Sequence, residues 1–587
     1  MRRKNSPALL LFFLVSLALV ASFLFFLPRN FFFGRELNQT STILRNHKNL
    51  HLRLTIDTEE DIYRTFTFHH LSSSLTDLDT VSILVPDWEV LLIHLPENPS
   101  SSNAAVDDDR YYCLFQNNAT SPAKPSGILP STKATIFKCV LPDSIRRIRP
   151  FLQPILTKRR KFWPWTESES ESSGGSPELL RWGFLVYESL STEDDVILFA
   201  KGVNNRQGIN RQPSELRCVF GDGVITEVTS SCQEVFRCRH PDENALARLP
   251  QGGKGKTMKI SLQLLVQGRE EEKEKEKVAL MVPSVAYYTP SHKPASQEGK
   301  SLLCACTMVY NVAKFLKEWV LYHSKLGVDK FILYDNGSDD GLEEVVSQLL
   351  RESHNVTTFL WPWAKTQEAG FSHCAMHAKD SCTWMMYIDV DEFFFSPSWL
   401  NYSYPSTNML RSLLPKSSTS SVSLPVGQIS MRCLDFGPSN QRSNPVQGVT
   451  QGYTCRRRLE QRHKSIVLLD AIDASLLNAI HHFRLKEGYR GKWLSRNGAV
   501  VNHYKYQAWP EFKTKFRRRV SAYVADWTQE VNPKSKDRTP GLGRMPVEPT
   551  GWANKFCEVN DTGLQWVTQR WFGFKSRTGF KMAWQNQ

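Results

Sequence analysis

The chain has 587 residues, 41% apolar, 11% aromatic and 22% charged, the mix of a folded protein too long for one ordinary core, so two or three domains are expected. Its net charge of +14 would suit a nucleic-acid binder, but the densest basic runs, 158–161, 456–458 and 517–519, lie far apart. No zinc-finger spacing or RNA-binding signature accompanies them, so nucleic acid is not an expected partner, and a protein handling phosphorylated or polyanionic ligands carries such charge equally well.

Arg2, Arg3 and Lys4 precede an apolar run from Ala8 to Leu27, closed by Pro28. At about 1.5 Å per residue, such a helix spans the roughly 30 Å hydrocarbon layer. A cleavable signal has a shorter apolar core of about 7–15 residues. Basic residues before the run favour a cytosolic tail at 1–7, a transmembrane anchor at 8–27 and everything later in the lumen. N-glycosylation triplets begin at Asn38, Asn118, Asn336, Asn355, Asn401 and Asn560, and all 12 cysteines follow the run, as in an oxidising compartment. The expected location is the Golgi membrane, single-pass type II, with the membrane as partner through one helix.

Residues 28–75 are polar and aperiodic, a stem. Residues 76–290 hold short apolar runs between turn residues, predicting an all-β, sandwich-like module. The runs are Val81–Val85, Val90–Ile93, Ala134–Phe137, Trp182–Tyr187, Val196–Ala200, Arg217–Phe220, Glu234–Cys238, Lys259–Val266 and Val278–Pro283. Polar stretches Pro96–Asp109 and Glu167–Pro177 are expected loops, and the charged run Arg269–Lys277 a solvated hairpin tip. Such a module could bind carbohydrate or only space the next domain.

From Ser301 strand and helix alternate. Strands are predicted at Leu302–Val309, Lys330–Tyr334, Thr357–Leu360 and Trp384–Ile388, helices at Ala313–Leu326, Glu343–Arg351 and Gly370–Lys379. This spacing predicts an α/β domain over 301–587 with a largely parallel sheet.

Ligands in such sheets bind beyond the carboxyl ends of the strands. Two acidic clusters fall there: Asp335-Asn336-Gly337-Ser338-Asp339-Asp340 and Asp389-Val390-Asp391-Glu392. If the second continues its strand, Asp389 and Asp391 point the same way. Carboxylates and substrate phosphates together suit a hard cation, Mn²⁺ or Mg²⁺. Asp335 is a donor contact or a turn-forming Asp, with Asn336 beside it in the same loop.

The ordered motifs Cys306–Asn311, Glu318–His323, Gly327–Asp329, Tyr334–Asp340, Gln367, His373-Cys374, Tyr387–Phe393 and Val501–Tyr504 resemble glycosyltransferase family 92 across about Ser301 to Trp527. Within the family the likeness is greatest to plant galactan synthases, which extend β-1,4-galactan of pectin from UDP-galactose. The resemblance implies a GT-A-like catalytic domain behind a carbohydrate-binding module, an inverting mechanism, a UDP-sugar donor, a glycan acceptor and Mn²⁺ in preference to Mg²⁺. It implies Asp389 and Asp391 as the metal pair beside the donor, Asp335 on the uridine or ribose, and His503 completing the metal site.

An inverting transferase needs one general base. Asp435 is the leading candidate, with Glu392, Glu460 and Glu511 as others. Lys513–Arg519 either touches phosphates or forms a solvated helix face. Cys304, Cys306, His373 and Cys374 could suggest zinc, but luminal disulfides are the simpler fate. A non-catalytic glycan-binding or scaffold protein is the rival reading, and a homodimer stays open.

Overall fold

The computed structural model describes residues 80–95, 111–158, 177–204, 209–221, 223–242, 244, 258–267, 277–290, 299–415, 424–460, 462–515, 548–577 and 579–585. The expected tail, anchor and stem, the loop Pro96–Asp109 and nearly all of Glu167–Pro177 lie outside them. No helix among the described residues is long and apolar enough to cross a membrane.

The β content expected for 76–290 is present as two mostly antiparallel sheets. The first runs, edge to edge, Ile155–Thr157, Tyr111–Leu114, Thr120–Ile128, Thr135–Val140, Glu89–His94, Thr80–Leu84 and Leu180–Arg181. The second is built on Asp195–Lys201, Leu216–Phe220, Val224–Cys232, Val235–Arg239 and the hairpin Met258–Gln267 with Lys277–Met281. Gln267 pairs with Lys277, so the charged run does join two paired strands, and its tip lies outside the described residues.

The arrangement is not a sandwich with one shared core. The first sheet buries Val90, Leu92, Phe115 and Phe137 in its own cluster, the second Val186, Leu198, Phe220 and Leu262 in another. Alternate residues face the other way. Ile83, Leu91, Tyr187, Ile197 and Phe199 join Ile332, Tyr334, Trp361 and Tyr387 in a core shared with the α/β domain. The reason is the content of those alternate faces: both are apolar, so both sheets need a partner on each side.

The α/β domain carries β1 Ser301–Val309, α1 Ala313–Leu326, β2 Lys330–Asp335, α2 Leu342–Arg351, β3 Val356–Leu360, α3 Gln367–His377 and β4 Cys382–Tyr387. These match the predicted elements to within a few residues. β5 Glu392–Phe395, β6 Val426–Asp435, β7 His463–Leu468, β8 Arg490–Trp493 and β9 Val500–His503 follow, with α4 Gly563–Phe572 near the end. The sheet order is β3-β2-β1-β4-β7-β6-β9-β5, with β8 beside β6. The first four strands are parallel, as expected. The other half mixes directions: β7 is antiparallel to β4 and β6, and β5 antiparallel to β9.

Five disulfides join Cys113–Cys139, Cys218–Cys238, Cys304–Cys382, Cys306–Cys374 and Cys455–Cys557. Cys304, Cys306 and Cys374 are therefore not zinc ligands, and His373 Nδ1 pairs with the Tyr334 hydroxyl at 2.7 Å.

Candidate metal and donor site

Parallel strands β1, β2 and β4 end on one edge of the sheet, and the acidic clusters sit there. Asp389–Glu392 does not continue β4. The Glu392 amide donates to Asp389 O at 3.0 Å, and the Asp389 amide to Glu392 Oε2 at 2.9 Å. This closed turn ends the period-two alternation, so Asp389 and Asp391 do not share one face.

Strand register brings in distant groups. Glu392 on β5 pairs with His503 on β9, and His503 with Asp435 on β6. One oxygen each of Asp391 and Glu392 and a ring nitrogen of His503 fall within 4.8 Å of one another, all buried. His503 Nε2 is 3.5 Å from both carboxylates yet has no hydrogen-bond partner among the described residues. A buried ring nitrogen with that environment fits a cation ligand. Lys515 places its ammonium on Asp391, so a positive group already occupies one flank; the helix-face alternative for Lys513–Arg519 fails at this position, and 516–519 lie outside the described residues.

Asp389 belongs to an adjoining cluster. Its Oδ2 lies 3.2 Å from Lys464 Nζ and 3.7 Å from His481 Nε2, and its Oδ1 accepts from Gln367 Nε2 at 3.4 Å. Lys464 is buried, 2.7 Å from Glu392 Oε1 and 2.6 Å from His481 Nε2. The metal-ready set is thus Asp391, Glu392 and His503, with Asp389 held beside it by Lys464. Lys464 and His481 carry no sequence signal of their own, since the antiparallel docking of β7 on β4 brings in Lys464 and a later loop, its His481 carbonyl accepting from the Ser465 hydroxyl, brings in His481.

The charges interlock. Burial would raise the Asp389 carboxyl, but Lys464 and then His481 outweigh it and hold it well below the carboxylate range. Burial is likewise outweighed at Asp391, by Lys515 and His503. At Glu392 burial prevails over Lys464 and raises the carboxyl. Burial opposes charging His503, but Glu392 and Asp391 raise it overall. Burial and then the Lys464 charge push His481 well down, leaving a neutral ring whose Nε2 can accept a hydrogen bond from the Lys464 ammonium.

Asp435 is not placed as an acceptor base. It is fully buried, its Oδ1 3.1 Å from His503 Nδ1 and its Oδ2 3.3 Å from Lys505 Nζ. Burial raises it, but His503 and Lys505 bring it down to about 2. It orients the imidazole. Of the other candidates, Glu460 pairs with Arg432 and Arg496, and Glu511 with Lys314. Glu392 lies inside the metal-ready set.

Asp335 forms the turn. Its Oδ1 accepts from the Ser338 amide at 3.0 Å and hydroxyl at 2.6 Å, closing the turn. Its Oδ2 has no hydrogen bond among the described residues, and burial raises the carboxyl. Asn336 turns inward, its Nδ2 donating to the carbonyls of Trp361 and Trp363 at 2.7 and 3.2 Å.

A glycosyltransferase family 92 protein of Ricinus communis is 39% identical over 500 residues, covering 82% of this chain and 81% of that protein. The chain belongs to glycosyltransferase family 92. The family model matches residues 300–539, a range that holds Asp335, Asp391, Glu392, Asp435, Lys464 and His503. Family 92 proteins of Oryza sativa subsp. japonica and Arabidopsis thaliana are each 42% identical, covering 67% and 69% of this chain and the same shares of theirs. Among solved structures, this family 92 chain is similar to a mannosyltransferase from Pyrobaculum calidifontis in complex with GDP-Man and Mn²⁺. That match has 10% identity and a TM-score of 0.23, and covers 38% of this chain and 62% of that one. It is also similar to glucosyl-3-phosphoglycerate synthase from Mycobacterium tuberculosis with Mn²⁺ and UDP, at 12% identity, TM-score 0.21, and 41% and 88% coverage.

Proposed function

We propose that this family 92 glycosyltransferase is a metal-dependent, inverting enzyme that moves a hexose from a UDP-sugar, galactose in our reading, to a cell-wall glycan such as β-1,4-galactan. The observation that carries this is the buried Asp391–Glu392–His503 set at the end of parallel strands, with an imidazole nitrogen that has no hydrogen bond among the described residues. Asp391, Glu392 and His503 would hold the cation, Mn²⁺ before Mg²⁺, and the cation would neutralise the diphosphate leaving group.

The chain's own residues do the rest. Asp435 fixes the His503 ring so that Nε2 faces the carboxylates. Lys464 balances Asp389 and Glu392, so these neighbouring carboxylates can stay close. Asp335, with one oxygen committed to its turn, offers the other to a ribose hydroxyl.

A GT-A arrangement, a Golgi lumen and a membrane anchor at 8–27 complete the reading. Five disulfides support the lumen, because such bonds persist where thiols are oxidised. UDP release by the full chain, across a panel of UDP-sugars with and without galactan oligomers, tests it. Release from UDP-galactose that rises with galactan supports the reading. Release from another sugar moves the donor, and binding of galactan without release from any donor favours the scaffold rival.

A further inference from the structure

The two β-rich sheets grip the backbone of the loops that flank the site. Lys138, on the strand Thr135–Val140, donates from Nζ to the carbonyls of Gly337 at 3.1 Å and Asn336 at 3.5 Å. These carbonyls belong to the loop that Asp335 opens. Gly337 has φ of 78°, and a Cβ there would lie 2.0 Å from Lys138 Nζ and 2.8 Å from Ser126 Oγ. The left-handed φ favours glycine, and a larger residue would have to push the Lys138 ammonium aside.

A second clasp holds the loop after β3. Trp182 stacks on Trp363, ring centroids 6.0 Å apart and planes within 7°, and its Nε1 donates to Ala364 O at 3.1 Å. Trp363 Nε1 in turn donates to Glu188 Oε2 at 3.3 Å. Lys201 Nζ donates to Lys365 O at 2.9 Å, where Lys365 holds a left-handed φ of 63°. Two residues on, Gln367 starts α3 and reaches Asp389. Asn336, bonded to the carbonyls of Trp361 and Trp363, ties the two loops together. A spacer or a free-standing glycan-binding module has no need of these backbone contacts.

We propose that the β-rich region is a working part of the donor site, with Lys138 and Trp182 as positioning residues that hold the Asp335–Gly337 and Trp361–Gln367 loops in nucleotide-receiving shape. This rests on the reading above that Asp335 faces the donor. Neither residue need touch the nucleotide: each sets where a loop backbone lies, and small misplacements cost binding.

The test is calorimetric titration of the full chain with UDP in Mn²⁺, together with donor and acceptor KM, for Lys138→Met, Trp182→Phe and Asp335→Asn. Trp182→Phe keeps an aromatic ring while removing the Nε1 donor and part of the surface stacked on Trp363, so it carries the test if Lys138→Met does not fold. The expected result is UDP affinity lowered on the order of tenfold in both interface variants, with donor KM raised to match. Acceptor KM, kcat at saturating donor and melting temperature should stay near wild type. Wild-type UDP affinity in both, while Asp335→Asn loses it, overturns the proposal and spares the donor reading. Parallel losses in both substrates with a lowered melting temperature also overturn it, because that is general destabilisation. Unchanged UDP binding by Asp335→Asn overturns the donor reading and this proposal with it.

Discussion

His503 Nδ1 lies 3.1 Å from Asp435 Oδ1, so a fully buried carboxylate fixes the face that the imidazole turns to Asp391 and Glu392. A carboxylate behind a ligating histidine sets its tautomer and raises its basicity. Asp435→Asn should therefore weaken Mn²⁺ binding by about 10–100-fold while leaving the fold intact. Mn²⁺ titration with circular dichroism as the folding control checks this. Unchanged metal affinity with lost turnover would return Asp435 to the role of acceptor base.

Lys464 makes a different prediction. It is buried against Asp389, Glu392 and His481, and removing one partner of a buried ion pair costs about 3–5 kcal/mol. Lys464→Met should lower the stability seen in urea unfolding by that order at neutral pH. An unmoved midpoint would mean that the carboxylates find their balance elsewhere.

Glu318, on α1, gives the pH dependence. It is buried and accepts from the amides of Val449 and Thr450 and the Thr450 hydroxyl at 2.8, 3.0 and 2.6 Å. Burial outweighs these bonds and raises its pKa from 4.5 to about 7. The folded state then keeps a proton that the unfolded state has lost. Its stabilising contribution is full below the unfolded value and is lost as pH rises through about 7, up to roughly 3 kcal/mol. Unfolding free energy should fall less for Glu318→Gln than for wild type between about pH 5 and pH 8. Equal falls would contradict the assignment.

Glycan occupancy reads the surface. Asn118, Asn355, Asn401 and Asn560 are exposed, whereas the Asn336 amide is spent on two carbonyls. Peptide mass spectrometry should find Asn336 bare and glycan only among the exposed sites. Glycan on Asn336 would require the loop to open and would move the donor site.

What the sequence disclosed follows from locality. The parallel half of the sheet was legible because β1 to β4 are short apolar runs broken by helical periods, and its acidic strand ends located the site. Asp391 and His503, paired from the sequence, lie in one buried group with Glu392. Lys464, His481 and the contact of Asp435 with His503 were not legible, since Lys464 and Asp435 enter through cross-strand register and His481 through a loop packed on Ser465, all between segments far apart in sequence. Asp389 was misdirected by one local event, the Asp389–Glu392 turn that breaks strand alternation. Thr120–Ile128 escaped notice because its prolines, Pro122 and Pro125, argue against a strand. The shared core behind both β-rich sheets was hidden because a sequence does not tell which apolar face meets which.

The most direct test of the central claim is turnover of UDP-galactose by the full chain against Mn²⁺ concentration, wild type beside Asp391→Ala. The account predicts saturable dependence on Mn²⁺ for wild type, its loss in chelator, and turnover lowered on the order of a hundredfold or more in a folded Asp391→Ala variant. Equal turnover with and without metal, or a folded and fully active Asp391→Ala, would contradict it.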